Sequence, residues 1–402
     1  MIKFYSTLLI LSVSLSLSAQ DVWIQRDSVK GPPRANAATF VSRDDGYVVT
    51  GYDGFGKKRS AVSYDISQDD WDSEVSIGGD TGDGLNRTSA IGFNALNNGY
   101  VGLGEGTGFL FSDLWKYDRE TESWTQMADF GGGARTQAVV FTVGDTAYVG
   151  TGKGADLVTL YNDFWKYDAA NNLWEQIANF PGTPRMDATG TGMTGQGYVG
   201  MGYDGSTYTT DFYAYYPLSN SWSQIADFPG TSRINAVSFA MFPQLFITTG
   251  DDGFNYLNDT WEYNYFGEVW TQRADFPAGG RTGAFSFVIE GRAFVGGGVG
   301  SGVYYDDFYE YTALLSNDIE LSEKVKVYPN PSSDQIFVEN LANDGYRKLE
   351  IYNTIGQVIY ADNIIEQGKI TINLSAFENA TYYLALYDEN NHVKTTSFVV
   401  QK

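Results

Sequence analysis

Six arginines recur along the chain at a near-constant interval: Arg34, Arg87, Arg135, Arg185, Arg233 and Arg281, separated by 53, 48, 50, 48 and 48 residues. A guanidinium can clamp a carboxylate or sulfate through two parallel N–H bonds, so arginines gathered into one ring would make an anion site. A repeat supplies its own control, however. What returns in every unit is expected to be architecture, and what appears in one unit is the better candidate for recognition. Acids recur at Asp113, Asp163, Asp211, Asp259 and Asp307, and the arginines are expected to pair with them or with loop carbonyls. The recurrent Phe130, Phe180, Phe228 and Phe276 are expected to be packing residues.

The side chains that change from unit to unit are the candidate ligand-binding residues. The segment 52–59 carries Asp53, Phe55 and the basic run Lys57, Lys58, Arg59, and an insertion ahead of Arg87 adds Asp80, Asp83 and Asn86. Further along stand Glu105 and Phe109, then Lys153, Asp156 and Tyr161, then Asp204 and Tyr208, then Asp251, Asp252 and Tyr256, and finally Tyr304 and Tyr305. Aromatic rings beside carboxylates are what sugar recognition uses: the ring lies on C–H faces and the polar groups accept hydroxyl hydrogens.

Other chemistry is closed off by composition. The 402 residues contain no cysteine and one histidine, His392. That removes thiolate nucleophiles, disulfides, zinc–thiolate and Fe–S sites, and leaves no multi-histidine metal centre or Ser-His-Asp triad. No catalytic residue and no metal ligand can be assigned, and no cofactor is expected. A weak calcium signal comes from Asp80, Asp83, Asp251 and Asp252, since calcium takes six to eight oxygens, but no spacing matches an EF-hand loop. With 49 acidic against 26 basic side chains, a net charge of −23 argues against a nucleic-acid partner.

The elements that must position these residues follow from the same repeat. Thirteen residues after each arginine comes an aromatic (Tyr47, Tyr100, Tyr148, Tyr198, Phe246, Phe294), and seventeen after each comes a glycine (Gly51, Gly104, Gly152, Gly202, Gly250, Gly298). A tyrosine follows near thirty (Tyr64, Tyr117, Tyr167, Tyr215, Tyr263, Tyr311), and in five units a tryptophan lies seven further on (Trp71, Trp124, Trp174, Trp222, Trp270). Four short strands in a 48-residue unit describe a propeller blade. The sixth unit lacks its tryptophan, whereas Trp23 stands eleven residues before Arg34 with no unit ahead of it. The reading is an all-β chain whose residues 21–312 form a six-bladed propeller closed by an N-terminal outer strand. Alternating strand direction puts tight turns such as Asn97-Asn98-Gly99 on one face and the longer, candidate-bearing loops on the other. The order Arg, aromatic-Val-x-x-Gly, Asp-Leu-Trp-Lys-Tyr-Asp over 113–118 and then Trp124 resembles the kelch repeat.

Both ends speak of export. Met1-Ile2-Lys3, an apolar run from Phe4 to Leu17 and Ser18-Ala19-Gln20 read as a signal peptide over 1–20. No other segment is long and apolar enough for a transmembrane helix. After a linker at 313–324, residues 325–402 read as a small β-sandwich, with strands expected at 335–339, 348–352, 357–360, 370–374, 382–387 and 395–400. Tyr328-Pro329-Asn330-Pro331, LEIYNTIGQVIYADN and the terminal TTSFVVQK resemble the type A sorting domain of the Bacteroidota type IX secretion system. Ala380-Thr381 departs from the glycine that the family usually carries before its Tyr-x-Leu strand. The resemblance implies passage through the type IX translocon, as the chain's partner in export, to a secreted or surface-attached location.

The kelch resemblance brings galactose oxidase to the comparison, and this chain cannot build its copper site, which needs histidine and a Tyr-Cys crosslink. The six-bladed kelch sialate epimerase (mutarotase) is similar in blade number. The expected function is a non-catalytic binding module for an extracellular glycan or protein, with a carbohydrate-active enzyme of the epimerase kind, or a structural surface or matrix protein, as alternatives.

Overall fold

A computed structural model describes residues 21–79, 84–312, 325–339, 341, 345–354, 356–364, 368–388 and 393–402. The expected signal peptide, the linker, and Asp80 and Asp83 lie outside the described residues. Those described form strands and turns with no α-helix. Residues 22–312 make six four-stranded antiparallel sheets, here I to VI. Sheet I contains Ala38–Ser42, Asp45–Val49, Ala61–Asp65 and Asp70–Glu74 in sequential order. Sheets II to V repeat this plan over 91–126, 139–177, 189–224 and 237–273. Sheet VI takes three strands from 285–312, and its outer strand is Val22–Gln25, paired in register as Trp23 with Tyr311.

Side-chain size explains how the sheets stack. Each first strand alternates, burying residues such as Ala38, Phe40 and Ser42, while each second strand is almost wholly buried. The aromatics of these two strands stack across the ladder, Phe40 on Tyr47 at 4.7 Å and Phe93 on Tyr100 at 5.0 Å. Phe40, Phe141 and Phe287 then press on the next sheet at a glycine, where only a hydrogen fits. A Cβ on Gly99 would meet the Phe40 ring at 2.0 Å, and one on Gly46 would meet Phe287 of sheet VI at 2.3 Å.

Hydrogen bonds between sheets run in cycles. The indole N–H of each outer-strand tryptophan donates to a carbonyl of the preceding sheet: Trp71 to Asp27, Trp124 to Val75, Trp174 to Ala128, Trp222 to Ala178, Trp270 to Ala226 and Trp23 to Ala274. A second cycle joins the residues two positions after each arginine. The amides of Ser89, Gln137, Asp187, Asn235 and Gly283 each donate to the carbonyl of the preceding member, and that of Asn36 donates to Gly283.

The C-terminal residues pack as two sheets, one of Lys326–Tyr328, Gln335–Glu339 and Lys369–Asn373, the other of Val358–Asn363, Tyr346–Tyr352, Ala380–Asp388 and Val393–Val400. Ile336, Val338, Leu349, Ile351, Leu384 and Phe398 fill the space between them. The strand Lys326–Tyr328 was not among those expected, because three residues before a proline box carry too little alternation to register. The Tyr328-Pro329-Asn330-Pro331 box is tied to the chain's end: Asn330 Oδ1 accepts the Val399 amide at 2.8 Å, and the Ser332 amide donates to the Val399 carbonyl at 2.9 Å. This sandwich rests on the short turns of sheets IV and V. Phe242 meets Tyr352 at 5.4 Å and Tyr383 at 5.3 Å, and Phe266 meets Tyr352 at 5.5 Å. The long loops lie at the other end of the strands.

Candidate functional site: the mouth of the axial cavity

The six arginines are buried at 0–1% exposure. Five clamp the recurring acids: Arg87 with Asp113, Arg135 with Asp163, Arg185 with Asp211, Arg233 with Asp259 and Arg281 with Asp307. In sheet V, Nη1 donates to Asp259 Oδ1 at 2.5 Å and Nη2 to Oδ2 at 2.8 Å, while Trp261 Nε1 donates to the same Oδ2 at 2.7 Å. All six Nη1 atoms also donate to the carbonyl sixteen residues on, from Thr50 to Gly297. Phe130, Phe180, Phe228 and Phe276 lie beneath Arg135, Arg185, Arg233 and Arg281 at 4.6–5.1 Å. These groups face one another inside the sheets rather than a ligand.

The loop carboxylates are likewise engaged. Asp53 Oδ1 accepts the amides of Phe55 and Gly56, and its Oδ2 pairs with Lys58 at 2.5 Å. Burial alone would raise the Asp53 pKa, but the Lys58 and amide bonds outweigh it and hold the group below its ordinary value. Asp156, Asp204 and Asp252 repeat the device, each oxygen capping the amides two and three residues on. The Thr159 hydroxyl, with the Val158 and Thr159 amides, brings Asp156 down to about 2. Such carboxylates shape loops. The Phe55 ring at the tip is 97% exposed, Phe109 leans edge-on against Phe111, and Arg59 braces the carbonyls of Ile77 and Gly79. Tyr161 covers Arg135 at 4.3 Å.

Other candidates do converge. Short bridges pair Tyr52 with Lys57, Glu105 with Leu110, Lys153 with Leu160, Tyr203 with Tyr208 and Asp251 with Tyr256, giving each loop a small hairpin. Tyr304 reaches the next loop and packs on Gly54 and Tyr52, at 5.7 Å between rings, and Tyr208 packs in the same way on Gly253. Lys57 Nζ crosses to Glu105 at 2.7 Å and to the Gly106 carbonyl at 2.6 Å. Tyr304 lies within electrostatic reach of Tyr52, Asp53 and Tyr256, and Tyr208 within reach of Asp251, Tyr203 and Asp187. The result is a rim of tyrosines around the mouth.

The floor of that mouth escaped the sequence reading. Asn36, Ser89, Gln137, Asp187, Asn235 and Gly283 line a cavity of 140 Å³. Beyond it the first strands enclose about 500 Å³ more, lined by small residues such as Gly92, Gly190 and Ser286. All six floor residues have positive φ, from 50° to 62°, and a Cβ on Gly283 would meet Asn36 Oδ1 at 2.3 Å. Asp187 is the one carboxylate of the ring and is 6% exposed. Gln137 Nε2 donates to its Oδ2 at 2.5 Å, while Oδ1 takes no hydrogen bond from the described residues. Burial raises the Asp187 pKa to about 7, against the opposing pull of Lys153 and the Gln137 bond. A carboxyl group so placed exchanges a proton near neutrality and can both donate and accept hydrogen bonds. The repeat held the signal: two residues after each arginine stand Asn, Ser, Gln, Asp, Asn and Gly, and only one is acidic.

Among the described residues there is no cluster of three His, Cys, Asp or Glu side chains fit to hold a metal. Of the acids named for calcium, Asp251 and Asp252 direct an oxygen each at amides of their own loop.

Residues 326–401 match the family described as "Secretion system C-terminal sorting domain". This marks the chain for export by the type IX system to the cell surface or the extracellular space, and implies contact with that machinery. No helix of the described residues is long and apolar enough to cross a membrane. The chain is similar to the ulvan lyase NLR42 of Nonlabens ulvanivorans, 30% identical over 86 residues, which are 21% of this chain and 16% of that protein. It therefore spans about one sixth of that relative's length. Among solved structures it resembles YjhT at a TM-score of 0.63 and 15% identity, over 72% of this chain and 98% of that one. This likeness extends to the fold, and the stacked sheets are β-propeller-like.

Proposed function

We propose that the exported protein is a non-catalytic glycan-binding module: a closed, six-bladed, kelch-type propeller over residues 21–312 that takes a sugar at the axial mouth. Closure is supported by the two hydrogen-bond cycles and by the Val22–Gln25 strand completing sheet VI. The observation that carries the binding reading is the polar floor of Asn36, Ser89, Gln137, Asp187 and Asn235 beneath the rim of Tyr52, Tyr208, Tyr256 and Tyr304. Amides and a carboxyl present donors and acceptors to sugar hydroxyls, and tyrosine rings present flat apolar surface.

The test is a glycan array probed with the full exported chain, followed by calorimetry on any hit. Tyr208→Ala and Asp187→Asn should each weaken binding at least tenfold, whereas Phe55→Ser, at an exposed loop tip, should leave it unchanged. Binding that survives both mouth substitutions, or an array with no hit, overturns the reading.

A second reading, a carbohydrate-active enzyme of the epimerase kind, is favoured by Asp187 itself, whose pKa of about 7 suits general acid–base transfer beside Lys153. Exchange of sugar anomers followed by NMR separates the two. An acceleration lost in Asp187→Asn supports the enzyme, and no acceleration leaves the binding module.

A further inference from the structure

Sheet I departs from its five sisters at one place. Arg34 is as buried as the other repeat arginines, at 1% exposure. Where the others meet an aspartate, however, it meets Ser60, and where Trp115, Trp165 or Trp261 would support that acid stands Val62. The phenylalanine found five residues before Arg135, Arg185, Arg233 and Arg281 is replaced by Val29. All three forms of compensation, carboxylate, indole and aromatic ring, are gone from one unit.

The cation keeps only long bonds. Arg34 Nε reaches the Pro32 carbonyl at 3.5 Å, and Nη1 reaches the carbonyls of Thr50 at 3.3 Å and Ser60 at 3.4 Å. The equivalent of the Thr50 bond is 2.9–3.1 Å in the other five sheets. Nη2 has no hydrogen-bond partner among the described residues. The hydroxyl of Ser60, the residue whose carbonyl Nη1 reaches, is buried and has none either. Among the described residues Asp53 is the one acid whose charge reaches Arg34, and its carboxylate is already held by Lys58 and two amides. Burial accordingly lowers the proton affinity of the Arg34 guanidinium. An uncompensated buried charge is costly in general, and two unused donors, one on the guanidinium and one on the residue whose carbonyl that guanidinium meets, are the chemistry that holds a small anion.

We propose that sheet I binds a small inorganic anion of the halide class between Arg34 Nη2 and the Ser60 hydroxyl, in the role that an aspartate carboxylate plays in the five other sheets. The burial of both groups favours a monatomic ion over a sugar acid or a nucleotide, and makes the site structural, separate from the axial mouth.

The test uses the full exported chain at constant ionic strength, exchanging gluconate for chloride or bromide. The melting temperature should rise by a few degrees along a saturable curve. Ser60→Asp supplies the missing carboxylate, and that variant should melt at or above the halide-saturated value and show no halide response. Crystals grown in bromide should show anomalous scattering beside Arg34 in the unaltered protein and none there in Ser60→Asp. Absence of bromide at Arg34 in the unaltered protein overturns the proposal whether or not the variant folds. A Ser60→Asp variant that still responds to halide does so as well.

Discussion

The carboxyl group of Asp187 should cost the protein stability, and the cost should depend on pH. Its pKa stands at about 7 in the folded chain against an ordinary value of 3.8, because burial disfavours the charged form. Between those values the folded state holds a proton that the unfolded chain has lost, so stability falls as pH rises across that window. Below about pH 4 both states are protonated and the penalty is absent; above about pH 7 it is complete. Each pH unit of separation is worth about 1.4 kcal/mol, which places the full penalty at about 4 kcal/mol. Asp187→Asn removes the ionisation while keeping a side chain that suits the φ of 53° at this position. That backbone preference adds an offset that does not vary with pH. Urea denaturation of both proteins at half-unit steps from pH 4 to 8 gives the difference in unfolding free energy, in which the other carboxylates cancel. The variant should gain on the unaltered protein steadily from pH 4 to 7 and then level off. A difference that stays flat across this range refutes the assignment of a buried, proton-holding carboxyl to the mouth.

Three further outcomes follow from the packing. Asp259→Ala leaves Arg233 buried beside an unpaired Trp261 N–H, and denaturation should show a loss of about 3 kcal/mol. Trp23→Ala removes the indole bond to Ala274 and the contact with Phe276 at 5.0 Å; a loss of about 3 kcal/mol, with faster hydrogen exchange in Phe308–Thr312, is expected if the N-terminal strand completes sheet VI. Phe242→Ser strips the ring that meets Tyr352 and Tyr383, so exchange should quicken in Ala380–Asp388 while the axial mouth binds ligand as before.

Much of the scaffold was legible because its signals are local and repeated. The interval of 48 residues, the arginine with its aspartate, and the tryptophan of the outer strand recur often enough that sheet membership could be assigned from spacing. The early placement of Trp23 even identified the partner of the last unit, and Val22–Gln25 does pair with Phe308–Thr312. Site residues were harder. Asp53, Asp156, Asp204 and Asp252 looked variable because their loops differ in length and neighbours, yet all four cap their own loops. Asp187 was passed over because it stands two residues before an inner strand, a position that local pattern assigns to architecture.

What the sequence determined by itself was the repeat, the all-β class and the export domain, since each depends on residues near one another in the chain or on a fixed period. The tertiary structure alone decided which groups are cut off from water. Gln137 and Asp187 are fifty residues apart and meet only when successive sheets stack. The contact of Phe242 with Tyr352 likewise depends on how distant segments come together. Proton affinity, ion pairing and ligand access follow from desolvation and distance, and these are fixed by the neighbours that folding supplies.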